Sequence, residues 1–277
     1  MSVVPTRIAV VGYGAIGDEI VRCMEVRGKI ASLVGFLDLP EKRAELEAKA
    51  KSRFPVVDTL SGLFDLRPQI IIEAAGHSAV RRFGADILRQ GCDLLIASTG
   101  ALADAKLAQN LMAAARHGTE LWIASGAVAG IDGLIAARSA GLRSVTYTSL
   151  KGAEAWHGTP AQALLGENAR RERVIFFSGS AREAAVHYPQ NANVAAAIAL
   201  ASIGLDRTRV ELGADPHVPG PLGIIEAAGE FGHFKFEILA LASATNPKTS
   251  ALTGHSLVAA VLDGMCLRVF DLLRVMQ

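Results

Sequence analysis

The chain is poor in residues that cross-link or bind metals. Its three cysteines, Cys23, Cys92 and Cys266, are odd in number and widely spaced, with no Cys-x-x-Cys pair. This excludes a disulfide framework and predicts reduced, buried thiols in a cytoplasmic protein. None of the seven histidines stands at ligand spacing from a cysteine, so no metal site is expected. Charge of one sign is also lacking. Lys plus Arg number 28 against 27 Asp plus Glu, a net +1 that excludes a nucleic-acid binder driven by electrostatics. The chain is 51% hydrophobic, yet no apolar run approaches the roughly 18 residues of a membrane span. Residues 1–6 lack the apolar core of a signal peptide. There is no internal repeat or low-complexity stretch, and 277 residues suit one large or two modest domains.

What the chain does have is a glycine-rich turn in a telling context, Arg7-Ile-Ala-Val-Val-Gly12-Tyr-Gly14-Ala-Ile-Gly17. The apolar run Ile8–Val11 reads as a buried parallel strand, and Ile16, Ile20 and Met24 recur at helical spacing beyond the turn. In a dinucleotide fold each glycine has a task. Gly12 permits the tight turn, Gly14 lets a pyrophosphate approach bare backbone, and Gly17 lets helix and strand pack closely. The pyrophosphate then faces unpaired N–H groups at the positive end of the helix. A second apolar strand over 31–37 ends in Asp38, where a carboxylate accepts the adenine-ribose hydroxyls. Asp38 repels a 2′-phosphate and favours NAD. Lys42 and Arg43 follow closely and keep NADP open.

Strands and helices alternate over the first 125 residues. A charged helix is expected over 41–51, strands over 69–73, 93–97 and 121–124, and helices ending near Gln90 and His117. The small polar clusters after these strands, including Ser98-Thr-Gly100 and Ser125-Gly-Ala127, are where such sheets bind ligands. The pattern then changes to strands over 144–150, 173–177, 210–212, 224–227 and 234–239, with one long helix over 193–203. The fold class is α/β: a Rossmann doubly wound parallel sheet with a second α+β domain, mostly antiparallel with helices on one face. Residues 1–125 plus 246–277 are expected to form the dinucleotide-binding domain, the helical C-terminal segment over 250–273 returning to it. Residues 126–245 form the substrate and oligomerisation domain.

Seven segments in this order resemble the L-aspartate dehydrogenase family over nearly the whole chain. They are Gly12-Tyr-Gly-Ala-Ile-Gly17, Ser125-Gly-Ala-Val-Ala-Gly-Ile-Asp132, Ala155-Trp-His-Gly-Thr-Pro160, Tyr188-Pro-Gln-Asn-Ala-Asn-Val194, Ala214-Asp-Pro216, Gly229-Glu-Phe-Gly232 and Asn246-Pro-Lys-Thr-Ser-Ala-Leu252. The resemblance implies reversible oxidative deamination of aspartate to iminosuccinate, which hydrolyses to oxaloacetate and ammonia. In some members iminosuccinate feeds NAD biosynthesis instead. It implies a homodimer or higher oligomer, and a cofactor, NAD or NADP, held by Gly12, Gly14, Ala15, Ile16, Gly17, Ala127 and Asn193. An asparagine at 193 offers both donor and acceptor to a nicotinamide carboxamide; capping the helix that starts there is its alternative use. Lys151 matches the family's lysine after the strand and suits a substrate carboxylate as a point charge, with a solvated tip as the alternative.

Two departures stand out. The family's proposed acid/base is a histidine six residues before the first glycine of the Gly-x-Phe-Gly segment. Here that position is Gly223, and the family's nearby asparagine is Pro221. An imidazole gains and loses a proton near neutral pH, and glycine does not. If Gly223 lies at φ > 0, a histidine there would be strained. The usual Pro-Pro after the lysine is Gly152-Ala153, which leaves the backbone unfixed. Candidates to replace the imidazole are His217 in the same loop, then His187, His77 and His157, each with an ordinary loop or helix-end role as the alternative. Three readings stay open: a dehydrogenase on aspartate, a dehydrogenase or imine reductase on another amino or imino acid, and a cofactor-binding homologue with little catalysis.

Overall fold

The computed structural model describes residues 6–50, 53–115, 118–166, 168–189, 191–243 and 246–269, with backbone alone for 242–243 and 246–249. The helix ends expected at His117 and near residue 273, and the last residues of the expected C-terminal return, lie outside these. The chain forms two compact units. One comprises the chain up to Ser98, Asp104–Ala124 and the segment from Thr253. The other comprises Thr99–Ala103 and Ser125–Leu252.

The first unit opens with β1 (Ile8–Val11), α1 (Ala15–Val26), β2 (Leu33–Leu37) and α2 (Arg43–Ala50). Next come β3 (Val56–Val57), α3 (Leu60–Asp65), β4 (Ile70–Glu73) and α4 (His77–Arg89). It continues through β5 (Asp93–Ile96), α5 (Ala105–Ala114) and β6 (Leu121–Ala124). From β6 the strand order runs β6-β5-β4-β1-β2-β3, all parallel. The order reverses between β1 and β4, which makes their carboxyl ends the place where a doubly wound sheet binds its ligand. β1 is wholly buried, and Phe36 of β2 stacks on Tyr13 with ring centroids 4.1 Å apart. Helix α1 buries Ile20, Met24 and Cys23 in the same cluster, the face that the four-residue spacing marks. The two-residue strand β3 and the short helix α3 were not expected. Both are too short to show periodicity, although Thr59 accepts a hydrogen bond from Gly62 N–H as an N-cap.

The second unit holds α6 (Ile131–Ser139), β7 (Leu142–Lys151), α7 (Gln162–Leu165), β8 (Val174–Ser180) and α8 (Ala181–His187). Then follow α9 (Asn193–Ala201), β9 (Arg209–Ala214), β10 (Leu222–Gly229), β11 (Gly232–Leu239) and the small ladder of β12 (Ala242–Ser243) with β13 (Asn246–Ser250). Its main sheet runs β11-β10-β7-β9-β8 and is mixed. Three pairings are antiparallel, and the fourth, of the central strand β7 with β9, is parallel. The expected lone helix over 193–203 is α9, ending at Ala201. Helices α6 and α8 are additional, α8 being nucleated by a capping box between Ser180 and Glu183. Every residue of α9 from Ala195 to Ala201 is buried, and its alanines keep the helix thin enough to be enclosed. The segment Gly229-Glu-Phe-Gly232 is the two-residue hairpin turn between β10 and β11.

The returning segment contributes α10 (Leu252–Asp263) and then β14 (Cys266–Arg268), not a single helix over 250–273. Gly264 at φ +71° ends the helix, and β14 adds antiparallel to β6, closing that edge of the sheet. Arg27, which caps α1, and Asp263 form a bidentate pair at 2.6 Å in both arms, and Gly254 N–H donates to the buried Glu19 carboxylate at 3.3 Å.

Glu73, at the end of β4, is 2% exposed and accepts four hydrogen bonds. The donors are Ala75 N–H (2.8 Å), Gly76 N–H (2.6 Å), Ser98 N–H (3.0 Å) and the Ser98 hydroxyl (3.0 Å). Burial pushes its carboxyl above the usual carboxylate range, and the four donors oppose that shift. One side chain thus ties the turn after β4 to the end of the turn after β5. Glu73→Gln sets an amide donor against buried donors and should cost about 1–3 kcal/mol of unfolding free energy. Chemical denaturation of both proteins measures this, and an unchanged midpoint contradicts it.

Candidate functional site

In the first unit the site is built from backbone. Gly12 sits at φ +99°, and a Cβ there would lie 2.8 Å from the Ala74 carbonyl. Gly17 is closed in the same way by the Gly12 oxygen at 2.9 Å and the Tyr13 ring at 3.1 Å, so α1 packs where no side chain fits. At Gly14 a Cβ would meet nothing within 4 Å, and no side chain caps α1. Open space in front of Gly14, bare helix-start backbone around Ala15 and Ile16, and a closed turn behind form a cradle that fits a dinucleotide pyrophosphate. Asp38 closes the other side. Its carboxylate accepts from Tyr13 N–H at 2.7 Å and from Leu39 N–H at 2.8 Å, which fixes the side chain beside the glycine turn. Arg43 is engaged elsewhere, with Glu47 at 2.8 Å and Asp58 at 3.2 Å. Lys49 pairs with Asp18 at 2.7 Å and lies over the Tyr13 ring, 4.7 Å from its centroid.

In the second unit Asn193 is not the cap of α9. The N-cap is Ala192, without a side-chain hydrogen bond, and Asn193 is the first helical residue. Its Oδ1 accepts from Gly100 N–H at 3.1 Å, which ties α9 to the turn Thr99–Ala103. Lys151 is not a solvated tip either. Its Nζ donates to Asn191 Oδ1 at 2.9 Å and lies 5.2 Å from the centroid of the Trp156 ring. Trp156 is fully buried and donates from Nε1 to the Gly213 carbonyl at 3.1 Å. Gly152 adopts φ −56° and ψ 149°, within the range a proline would impose. Where the resemblance implies Pro-Pro, Gly152 takes a backbone path that a proline could also take. Ala127 is half-buried in the turn after β6, flanked by Gly126 (φ +70°) and Gly130 (φ +77°). Phe236 fills the space where a Cβ of Gly130 would lie.

Gly223 is a regular residue of β10, paired with Ser149 and Ile238, and its φ is not positive. The strain expected for a histidine there is absent. What a side chain meets instead is Tyr147, whose Oη and Cε2 lie 3.3 Å from a Cβ built on Gly223. Pro221 is held outside the strand end by its carbonyl, which accepts from Ala240 N–H at 2.8 Å.

The histidines are dispersed. His217 is exposed; its N–H donates to Asp215 Oδ1 at 2.9 Å, and Asp215 also accepts from Arg173 at 2.8 Å. That N–H and the guanidinium hold the buried Asp215 carboxyl below its usual range. The loop is therefore pinned through its backbone, with the imidazole facing solvent. His187 is the exposed last residue of α8. His77 begins α4 in the first unit, and His157 follows Trp156 at the surface. Three contributors escaped the sequence reading: Glu73, Tyr147 and Asn191. A glutamate ending an apolar strand was the one signal available for the first. Nothing in spacing pointed to Tyr147, since its role depends on register with Gly223. Among the described residues no cluster of His, Cys, Asp or Glu could hold a metal ion.

Comparison with known proteins follows this division. Residues 12–123 match the family model described as homoserine dehydrogenase, NAD binding domain, and residues 132–263 match aspartate dehydrogenase, C-terminal. An L-aspartate dehydrogenase of Cupriavidus taiwanensis is 41% identical over 258 residues, 92% of this chain and 96% of that one. One from Ruegeria pomeroyi is 42% identical over 92% of this chain and 91% of its own. The crystal structure of aspartate dehydrogenase from Thermotoga maritima superposes with a TM-score of 0.70 at 21% identity, covering 94% and 95% of the two chains. GenD2 from gentamicin A biosynthesis, solved with NAD, shares the fold at a TM-score of 0.56 and 16% identity, over 100% of this chain and 92% of its own. With relatives above 40% identity over nine-tenths of its length, and a Rossmann sheet joined to a second sheet domain, the chain belongs to the L-aspartate dehydrogenase family of oxidoreductases.

Proposed function

We propose that this protein is an NAD-dependent dehydrogenase that oxidises the Cα–N bond of L-aspartate to iminosuccinate, reversibly, with oxaloacetate and ammonia as hydrolysis products. The observation that carries the reading is the pairing of an intact glycine cradle with Lys151 held at 2.9 Å by Asn191. When bound, NAD supplies the two-electron acceptor. Gly12, Gly14, Ala15, Ile16 and Gly17 would hold its pyrophosphate, Asp38 its ribose hydroxyls, and Ala127 and Asn193 its nicotinamide end. Lys151 presents an ammonium to a substrate carboxylate. Trp156 beneath it and Asn191 beside it fix where that charge sits. Gly223 favours a second reading, a dehydrogenase or imine reductase on a different amino or imino acid, because no imidazole stands there. His217 remains the first histidine to mutate as a substitute acid/base. A homodimer is the expected assembly, and exposed Leu239 and Leu241 of the second unit are candidates for its interface. Three free cysteines accord with a cytoplasmic location, and no described helix is long and apolar enough to cross a membrane.

Cofactor choice follows from the ion pairs. With Arg43 engaged by Glu47 and Asp58, Asp38 decides, and NAD(H) should bind more tightly than NADP(H). Asp38→Ser should narrow the difference in a fluorescence titration, and tighter binding of NADP(H) to the unmodified protein overturns the assignment. Asn193→Ala should weaken cofactor binding by about 1–3 kcal/mol, the cost of unpairing buried polar groups. Unchanged affinity in the same titration removes Asn193 from the cofactor site, and a thermal melt of that variant reads the separate cost of losing the bond to Gly100.

The chemistry itself has a magnitude. General acid–base catalysis typically contributes about 10²–10⁴-fold. Oxidation of L-aspartate by the unmodified protein should be slow by about that factor relative to family members that keep the histidine. Gly223→His should raise the rate, since the backbone of β10 accepts the side chain once Tyr147 yields by a few tenths of an ångström. Brisk turnover by the unmodified protein contradicts this and makes His217→Ala the next measurement. Tight NADH binding without turnover of any amino acid points to the homologue with little catalysis.

A further inference from the structure

Helix α2 uses its charges in two ways. Arg43 and Glu47 pair along the helix, whereas Lys49 reaches out of it to α1. Lys49 follows the buried Leu46 by three residues and precedes the buried Ala50, so it stands at the edge of the face that packs on the first unit's core. From there its ammonium meets the glycine turn at three points. It pairs with the Asp18 carboxylate at 2.7 Å, donates a long hydrogen bond to the Tyr13 carbonyl at 3.5 Å, and sits over the Tyr13 ring, 4.7 Å from the centroid. Tyr13 stands between Gly12 and Gly14, and its ring is itself fixed by stacking on Phe36. Asp18 follows Gly17, and its N–H donates to the Gly14 carbonyl at 3.0 Å, closing the first turn of α1.

A carboxylate in that first turn is favourable in the free protein, because it faces the positive end of the helix. A pyrophosphate needs the same end. Gly14, Ala15 and Ile16 lie about one turn or less from Asp18, roughly 5.4 Å along the axis, so the two negative groups compete. Among the described residues Lys49 is the one cation at ion-pair distance from Asp18. The two side chains are 35% and 23% exposed, so salt and solvent screen the pair only in part.

We propose that Lys49 is a positioning residue for the dinucleotide: its ammonium cancels the Asp18 charge at the start of α1 and holds the Tyr13 carbonyl, so that the cradle at Gly14 accepts a dianionic pyrophosphate. This rests on the dinucleotide assignment of the glycine turn and is independent of which amino acid is oxidised. Without the ammonium, Asp18 stays charged within a turn of the ligand, and the like charges disfavour binding. An adenosine fragment carries no phosphate and is indifferent to that charge.

The test is a displacement titration on the full chain, in which ADP and adenosine compete with NADH and the NADH fluorescence is read. Lys49→Met keeps an apolar stem over Tyr13 and removes the charge. It should weaken NADH and ADP by about 5-fold or more at low salt and leave adenosine within about 2-fold. The ratio between the unmodified protein and the variant should shrink in about 1 M salt, where the Debye length is about 3 Å. Adding Asp18→Asn to Lys49→Met should restore most of the ADP affinity, since the repelling charge is gone. Lys49→Gln carries the same test should Lys49→Met fold poorly. Equal losses for ADP and adenosine mark a deformed turn and overturn the proposal. Unchanged ADP affinity overturns it too, as does a loss that Asp18→Asn fails to relieve, and in each of these cases the unmodified protein still binds NADH. Failure of the unmodified protein to bind NADH overturns the dinucleotide assignment, and the role of Lys49 with it.

Discussion

Two carboxylates at the ends of β4 and β2, the strands that flank β1, hold the first unit's ligand-facing edge in shape, and Glu73 is the more consequential. The carboxyl ends of parallel strands converge there, and the turns that follow carry N–H groups with no ladder partners. A buried glutamate with four inward donors satisfies those groups from behind, so the opposite side of each turn stays open. Asp38 does the same from the flank by engaging Tyr13 N–H. Without such anchors, turns as short as Ala74-Ala75-Gly76 would have to satisfy their backbone with water. The geometry is fixed by protein alone, and a bound dinucleotide would find it ready.

The second unit solves a different problem. Its longest buried helix is kept thin by alanine, and buried hydroxyls lie in succession along β7 at Tyr147, Thr148 and Ser149. Asn191 and Asn193 come from one short segment but do different work. Asn191 fixes the ammonium of Lys151, and Asn193 fixes the turn at Gly100. The buried helix that begins at Asn193 places that amide, and Asn191 is set by the turn before it, where its N–H donates to the Tyr188 carbonyl. Trp156, buried and bonded to Gly213, supports the same corner from below.

Much of the fold was legible before the structure, because strand-turn-helix order and helical spacing are properties of short windows. The Gly12 to Gly17 turn and Asp38 could be placed by counting, as could five strands of the second sheet. What was not legible depends on pairing or on very short elements. The parallel register of β7 with β9, strand β14 on the edge of β6, and the two-residue β3 have no local signature. Two alternatives weighed at single residues fail for the same reason. Asn193 looks like a cap because it precedes an apolar helix, yet the chain enters that helix one residue earlier, at Ala192. Gly223 looks conformationally special because glycine often is, yet it lies in a regular antiparallel ladder. Glycine in a sequence reports only a missing side chain, and whether the backbone or the space needed that absence is a question for the structure.

That distinction bears on how this member has diverged. At Gly152 a glycine leaves the unfolded chain freer than a proline would, while the native path, with φ −56° after an extended residue of β7, is one a proline could also take. At Gly223 the strand is equally undisturbed, with Ser149 and Ile238 in register on either side. Both departures spare the backbone, and the residues around them remain paired: Lys151 with Asn191, Trp156 with Gly213, Asp215 with Arg173. A site drifting without selection would lose such buried partners early, because each unpaired group costs on the order of 1–3 kcal/mol against a net stability of only about 5–15 kcal/mol. The pairing of these groups accords with a site whose geometry is still in use.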